Sequence, residues 1–328
     1  MSDGPLGVVG AGAFGTALAS VWAAGGPVVL WGRDHAAMAA MARDRRTPRL
    51  PGVALPEAVA PTADADALGA CPTLVVAVPT QALAEALDGL PLAPARAVAA
   101  CKGIELSTLR GPAAILRGRF PDAAVAVLSG PSFAADIARG LPTALTLGCA
   151  DDREGAALQA RLSTPTLRLY RTTDVAGVEL GGALKNVVAI ACGAAMGAGL
   201  GESARAACMT RGMAEMTRLA TALGARPETL AGLSGLGDLA LTCASLQSRN
   251  YALGVALGSG TLRGDATTEG APTAVAATDL ARDRGVDMPL ARAVRALLEG
   301  RTDVRGALGD LLARDLTTET PEAACSTP

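Results

Sequence analysis

Histidine occurs once in these 328 residues, at His35, and the seven cysteines, at 71, 101, 149, 192, 208, 243 and 325, are scattered without a single C-x-x-C pair. That usage suggests neither a zinc site nor a disulfide framework, and it fits a reducing cytoplasm. No basic run appears and the formal charge is -2, which argues against a polyanion-binding surface and hence against nucleic acid as a partner. No charged-then-apolar leader precedes the first strand. The uncharged Ala/Gly-rich run after Lys185 stops at Glu202, short of the roughly 20 apolar residues that span a bilayer. A soluble protein without membrane insertion is expected, and its length allows two domains with separate cores.

Two further residue types are scarce in a more instructive way. Lysine occurs only as Lys102 and Lys185 beside 27 arginines, and asparagine only as Asn186 and Asn250. Wherever a surface needs only positive charge, this chain uses arginine. A lysine that remains suggests a position where a guanidinium cannot serve, because an ammonium exchanges a proton near neutrality when buried and a guanidinium does not. Lys185 is followed directly by Asn186, and Asn250 stands beside Arg249, so the scarce residues fall together.

The strongest pattern present is Val8-Val9-Gly10-Ala11-Gly12-Ala13-Phe14-Gly15, a G-x-G-x-x-G between a short apolar strand and a helical run. In that setting the glycines make a tight turn, admit a pyrophosphate close to the backbone and aim a helix N-terminus at its charge. Gly10, Gly12, Ala13, Phe14 and Gly15 are therefore candidate dinucleotide contacts. After the second strand, Pro27–Gly32, comes Arg33-Asp34-His35. An acid near here suits the ribose hydroxyls of NAD and an arginine suits a 2'-phosphate, so Arg33 favours NADP, with Asp34 read as the N-cap of a helix over Ala36–Arg43 or, alternatively, as that acid.

Continuous apolar runs at Thr73–Pro79, Ala97–Cys101, Val125–Leu128, Thr143–Leu147 and Leu167–Tyr170 read as strands covered on both faces, with a helix predicted over Gln81–Leu90. From about Asp174 strand patterns vanish and helical ones take over: 175–198, 203–223, 249–257, 273–284, 290–298 and 305–312. The expected architecture is α/β. An N-terminal doubly wound, Rossmann-type and mostly parallel sheet (1–172) is followed by an all-α substrate and catalytic domain (173–316) and a flexible tail (317–328).

Lys102-Gly103 stands at the carboxyl end of a strand, the edge where such sheets bind ligands. Ser129-Gly130-Pro131-Ser132-Phe133-Ala134 forms a second strand-to-helix corner. Lys185 lies in a nearly uncharged helix, where burial and a second cation would both lower its pKa; alternatively it reaches solvent or pairs with Glu179. Asp238, after Gly235-Leu-Gly237, reads as a helix N-cap or a site acid, and Gln247-Ser248-Arg249-Asn250 as a solvated cap or a receptor for a small phosphate. Neither Tyr170 nor Tyr251 has a lysine four positions on, no ligand set could hold a catalytic zinc, and His35 lies with the cap. Among dehydrogenase chemistries, lysine-assisted hydride transfer remains.

Together the glycine turn, Trp31-Gly-Arg-Asp34, Cys101-Lys-Gly103, Ser129–Ala134, Gly181-Gly-Ala-Leu-Lys-Asn186, Gly235-Leu-Gly-Asp238 and Gln247-Ser-Arg-Asn250 closely resemble the bacterial NAD(P)-dependent glycerol-3-phosphate dehydrogenases, in the family's order and nearly end to end. The resemblance implies reversible reduction of dihydroxyacetone phosphate to sn-glycerol 3-phosphate for phospholipid synthesis, in the cytoplasm, with NAD or NADP. It makes Lys185 the proton acceptor in oxidation and donor in reduction. It puts Lys102, Gly130, Ser132, Lys185, Asp238, Ser248, Arg249 and Asn250 on the substrate, and Phe14, Arg33, Lys102, Ala134, Arg249 and Glu269 on the cofactor. Asp238 would hold the substrate or orient the lysine, and Arg249 with Asn250 would hold the phosphate. Ala13 replaces a common serine, leaving its backbone amide for the cofactor phosphates, and Thr267-Thr268 replace a commonly aliphatic pair. The rivals are a β-hydroxyacid or 6-phosphogluconate dehydrogenase, whose asparagine falls several residues after the lysine, and a non-catalytic NADP-binding sensor. A homodimer is the assembly considered.

Overall fold

The computed structural model describes residues 4–261, 268–316 and 318. Thr267, and the expected tail apart from Thr318, lie outside the described residues. The apolar runs of the first half form one eight-stranded sheet: β1 (Leu6–Val9), β2 (Val28–Trp31), β3 (Val59–Thr62), β4 (Thr73–Val76), β5 (Arg96–Ala99), β6 (Ala124–Ser129), β7 (Thr143–Cys149) and β8 (Leu167–Thr172), in the order β3-β2-β1-β4-β5-β6-β7-β8. All neighbours are parallel except β6 and β7. Every residue of β1 and β4 is buried, as in strands covered on both faces, whereas β8 alternates at the edge.

The helices of this half are α1 (Ala13–Trp22), α2 (His35–Asp44), α3 (Leu83–Leu87), α4 (Pro112–Arg119), α5 (Ala134–Ala138) and α6 (Asp152–Leu162). Asp34 caps α2 by accepting from the Ala37 amide at 3.0 Å. Two elements differ from expectation. The helix over Gln81–Leu90 shrinks to a 3-10 turn and α3, because Asp88 is extended and Gly89 takes φ +70°. β3 escapes sequence patterning because Val-Ala-Pro-Thr is short and contains Pro61, which sheets accept at an edge; only its pairing with β2, Pro61 opposite Leu30, defines it.

Beyond Thr172 the described residues form α7 (Val175–Gly197), α8 (Gly201–Ala222), α9 (Pro227–Leu230), α10 (Asp238–Thr242), α11 (Arg249–Gly258), α12 (Gly270–Asp283), α13 (Pro289–Leu298) and α14 (Val304–Leu312). α7 is the axis of this half. It packs against α8, α10, α11, α12 and α13, and also touches β6 and β7. It is the one described helix long and apolar enough to cross a membrane, and 89% of its most apolar window is buried inside the fold, as befits a helix apolar on all sides. The small residues in its C-terminal half let α11 come to backbone contact: a Cβ on Gly193 would lie 2.1 Å from the Tyr251 carbonyl oxygen, and one on Gly254 2.1 Å from that of Ile190. That contact brings Ser248-Arg249-Asn250, at the start of α11, toward the middle of α7.

Candidate active site

Lys185 sits in the middle of α7 and is buried. Its Nζ donates to Oδ1 of Asp238 at 3.0 Å and to the Thr242 hydroxyl at 2.7 Å. The other carboxylate oxygen of Asp238 accepts from Lys102 Nζ at 2.6 Å. The two lysines of the chain thus share one carboxylate that is 1% exposed. Burial lowers the pKa of Lys185, Asp238 opposes it, and the like charge of Lys102 lowers it further. For Asp238, burial pushes upward, but the attraction and hydrogen bonds of the two ammonium groups prevail and hold it below the ordinary carboxylate range.

The sequence around the lysine explains how the three come together. A Cβ on Gly181 would lie 2.8 Å from the Ser234 carbonyl oxygen, and one on Gly182 would lie 2.3 Å from Ser129 Oγ. One bare turn of α7 therefore lets in both the π-helical turn Leu233–Gly237, which delivers Asp238, and the corner after β6. At that corner the Gly130 carbonyl accepts from Lys102 Nζ at 3.2 Å and from the Ser132 hydroxyl at 3.1 Å. Gly130 has φ +151°, a backbone state that side chains disfavour. Ser132 does not cap α5, whose N-cap is Phe133. Asp238 is an ion-pair centre rather than the plain cap it could have been.

A cleft beside this centre is lined by Thr80, Lys102, Gly103, Arg249, Thr268 and Glu269, among others. It lies at the carboxyl end of the sheet and against the helical half, and its Lys102 is joined to Lys185 through their shared carboxylate, Asp238. Burial raises the pKa of Glu269, against the pull of Arg249, Lys102 and Lys185. Arg249 is exposed. Ser248 caps α11 by accepting from the Tyr251 amide at 3.2 Å. The Asn250 amide donates to Asn186 at 2.9 Å while its oxygen accepts from the Gly270 amide at 3.0 Å. Asn250 thus ties α7 to the start of α12, and its side chain is already engaged where a phosphate contact was expected.

On the same carboxyl edge of the sheet, after β1 and so next to β4, the glycine turn divides by role. Gly10 has φ +113° and Gly15 would place a Cβ 2.0 Å from the Gly10 carbonyl oxygen, so both serve the turn itself. A Cβ on Gly12 would meet nothing within 4 Å; none of the described residues requires that residue to be bare. It is the N-cap of α1 without a side-chain hydrogen bond, leaving the first amides, Ala13 included, to an outside acceptor. A dinucleotide pyrophosphate fits both facts. Phe14 and Ala134 pack, partly buried, on the same apolar cluster beneath this turn. Arg33 is exposed after β2.

Comparison with known proteins places these features in a family. Residues 5–155 match the profile of the NAD-dependent glycerol-3-phosphate dehydrogenase N-terminus and residues 174–309 that of its C-terminus. The chain belongs to the NAD-dependent glycerol-3-phosphate dehydrogenase family. It is 57% identical over 315 residues to the NAD(P)+ glycerol-3-phosphate dehydrogenase of Paracoccus denitrificans, covering 95% of this chain and 99% of that protein. It is 56% identical to that of Cereibacter sphaeroides, covering 96% and 100%. The crystal structure of glycerol-3-phosphate dehydrogenase from Coxiella burnetii superimposes with TM-score 0.88 at 35% identity, over 95% of this chain and 99% of that one. The family match favours neither the β-hydroxyacid or 6-phosphogluconate alternative nor the sensor.

Within this glycerol-3-phosphate dehydrogenase family member, one participant is absent from the sequence reading. Thr242 touches both Lys185 and, at 3.2 Å, Oδ1 of Asp238. Its spacing holds a signal in retrospect, since a hydroxyl four residues after an acid on a helix faces the same side. The orphaned hydroxyls of Ser129, Ser234 and Thr268, buried without a partner among the described residues, carried no such signal.

Proposed function

We propose that the chain interconverts sn-glycerol 3-phosphate and dihydroxyacetone phosphate with NAD or NADP, Lys185 being the group that takes and returns the proton of the substrate's C2 hydroxyl. The observation that carries this reading is a buried amine of lowered pKa, held by Thr242 and by Asp238, the carboxylate that also pairs with the cleft-lining Lys102. A neutral amine can accept the alcohol's proton, and an ammonium can donate one to the ketone. When bound, the nicotinamide cofactor supplies the hydride acceptor or donor. Lys102 lines the cleft with one positive charge for the substrate, and Arg249 adds a guanidinium suited to a phosphate or to the cofactor. Gly130, Ser132 and Ser248 border the substrate in this reading, with Asn250 acting through Asn186 and Gly270. Gly10, Gly12, Ala13, Phe14, Gly15, Arg33, Ala134 and Glu269 border the cofactor, and Arg33 favours the 2'-phosphate of NADP.

The division at residue 172 belongs to the same proposal: residues 1–172 bind the dinucleotide, and 173–316 carry the proton-transfer group. So do a cytoplasmic location, a supply role in phospholipid synthesis and a homodimer, the last tested by sedimentation of the purified chain. The direct test follows NADPH oxidation with dihydroxyacetone phosphate. Lys185→Arg and Lys185→Ala should each lose about 10²–10⁴ in kcat while still binding NADPH by fluorescence titration. Near-normal turnover of Lys185→Arg, which keeps the charge but has no proton to exchange at neutral pH, would defeat the assignment.

A further inference from the structure

Glu179 is a partly buried carboxylate to which the reaction assigns no task. It lies on α7, six residues before Lys185, and its Oε1 accepts from the Ala113 amide at 2.7 Å. Ala113 is at the start of α4, on the dinucleotide-binding side. That helix has nothing of its own to end on: its N-cap is Gly111, without a side chain, and Pro112 has no N–H. Glu179 therefore supplies from the helical half the cap that α4 lacks. Gly111 makes room for it, since a Cβ there would lie 2.0 Å from Glu179 Oε2.

The segment between β5 and α4 gives this contact its importance, because its first residues include Lys102. The segment is tied to the helical half at its start by the Lys102–Asp238 ion pair. Midway Ile104, and farther on Leu109, pack on the helical core, and at its end stands the Glu179–Ala113 bond. We propose that Glu179 is a positioning residue: by capping α4 from α7, it sets how closely the segment bearing Lys102 is held against Asp238 and Lys185. This rests on the reading of Lys185 given above. Glu179 itself faces the Ala113 amide, Arg117 of α4 and the Cys101 thiol. The charges acting on Lys185 are those of Asp238, Lys102 and Glu269, so the charge of Glu179 does not act on the proton-transfer group directly.

If the cap is lost and Lys102 draws back, Lys185 loses a like charge and gains a larger share of Asp238, and its pKa rises. Oxidation of glycerol 3-phosphate needs the neutral amine, so its low-pH limb moves to higher pH. We expect Glu179→Ala to shift that limb up by about one pH unit, a tenfold loss of rate at a pH below the limb, and to speed hydrogen exchange at the Ala113 amide. Glu179→Gln, which keeps an acceptor oxygen, should restore both. Gly111→Ala should reproduce the shift from the other side of the contact, because Gly111 has φ -82°, which alanine adopts freely, and the new methyl displaces the carboxylate. A merely destabilising change would lower the active fraction without moving the limb. A limb that stays put in both Glu179→Ala and Gly111→Ala, or a Gln variant shifted as far as the Ala variant, overturns the proposal. A wild-type chain with no turnover would instead overturn the reading beneath it, and the exchange measurement would still report whether Glu179 caps α4.

Discussion

Replacing Asp238 by asparagine tests the centre of the site without reference to turnover. The amide keeps the shape of the carboxylate but removes the one anion that Lys102 and Lys185 share at 2.6 and 3.0 Å, in a position 1% exposed. Breaking a buried ion pair by removing one partner costs about 3–5 kcal/mol while the charge left behind remains. The protein has a way out, because Lys185, already held below the usual lysine range by burial, can release its proton. In the wild type that lowered folded pKa means the unfolded chain binds more protons between the folded and unfolded values, so this group's contribution to stability rises with pH across that window. Without Asp238 the folded pKa falls further and the window widens toward lower pH. The carboxylate's own contribution, present above its unfolded value and lost as pH falls through its depressed folded one, disappears as well. Urea denaturation of Asp238→Asn should therefore show a loss of about 3–5 kcal/mol near pH 6 that shrinks as the pH approaches 9. An equal loss at both pH values, or one that grows with pH, would refute the shared-carboxylate account.

Three further outcomes follow from the geometry. Gly12→Ala should leave the unfolding free energy from urea titration within about 0.5 kcal/mol of wild type while weakening cofactor binding in a titration, because its methyl meets no atom of the described residues; Gly15→Ala, 2.0 Å from the Gly10 carbonyl oxygen, should lower that free energy markedly. Arg33→Ala should reduce the ratio of kcat/KM with NADPH to that with NADH by roughly tenfold, about 1.4 kcal/mol, the scale of a charge-assisted hydrogen bond. Gly193→Val should destabilise by about 1–3 kcal/mol or more and depress activity, since its side chain would have to enter the Tyr251 backbone and part α7 from α11; an unchanged melting temperature would refute the backbone contact.

Much of the arrangement is legible in the sequence because its signals are local. The glycine turn lies between a strand and a helix in eight consecutive residues, apolar runs mark strands covered on both faces, and the change of texture near Asp174 falls between β8 and α7. Scarcity was local too: two lysines among 29 basic residues pointed to Lys102 and Lys185 without a fold. The strand Val59–Thr62 was not legible, because pairing with β2 rather than composition makes it a strand. Nor was the work of Asn250, whose partners lie 64 and 20 residues away.

What the sequence determined alone is the set of chemical groups and the elements that bear them: an amine on an apolar helix, a glycine turn before a helix N-terminus, an acid after two glycines. The tertiary structure decided how those groups act on one another. Lys102, Lys185 and Asp238 are separated by up to 136 residues, and a pKa depends on what lies within a few ångströms in a medium of low dielectric. Whether Asp238 capped a helix or joined two lysines, and whether Glu179 met Lys185 or the start of α4, depended on which groups the bare faces of Gly181, Gly182 and Gly111 allowed to approach.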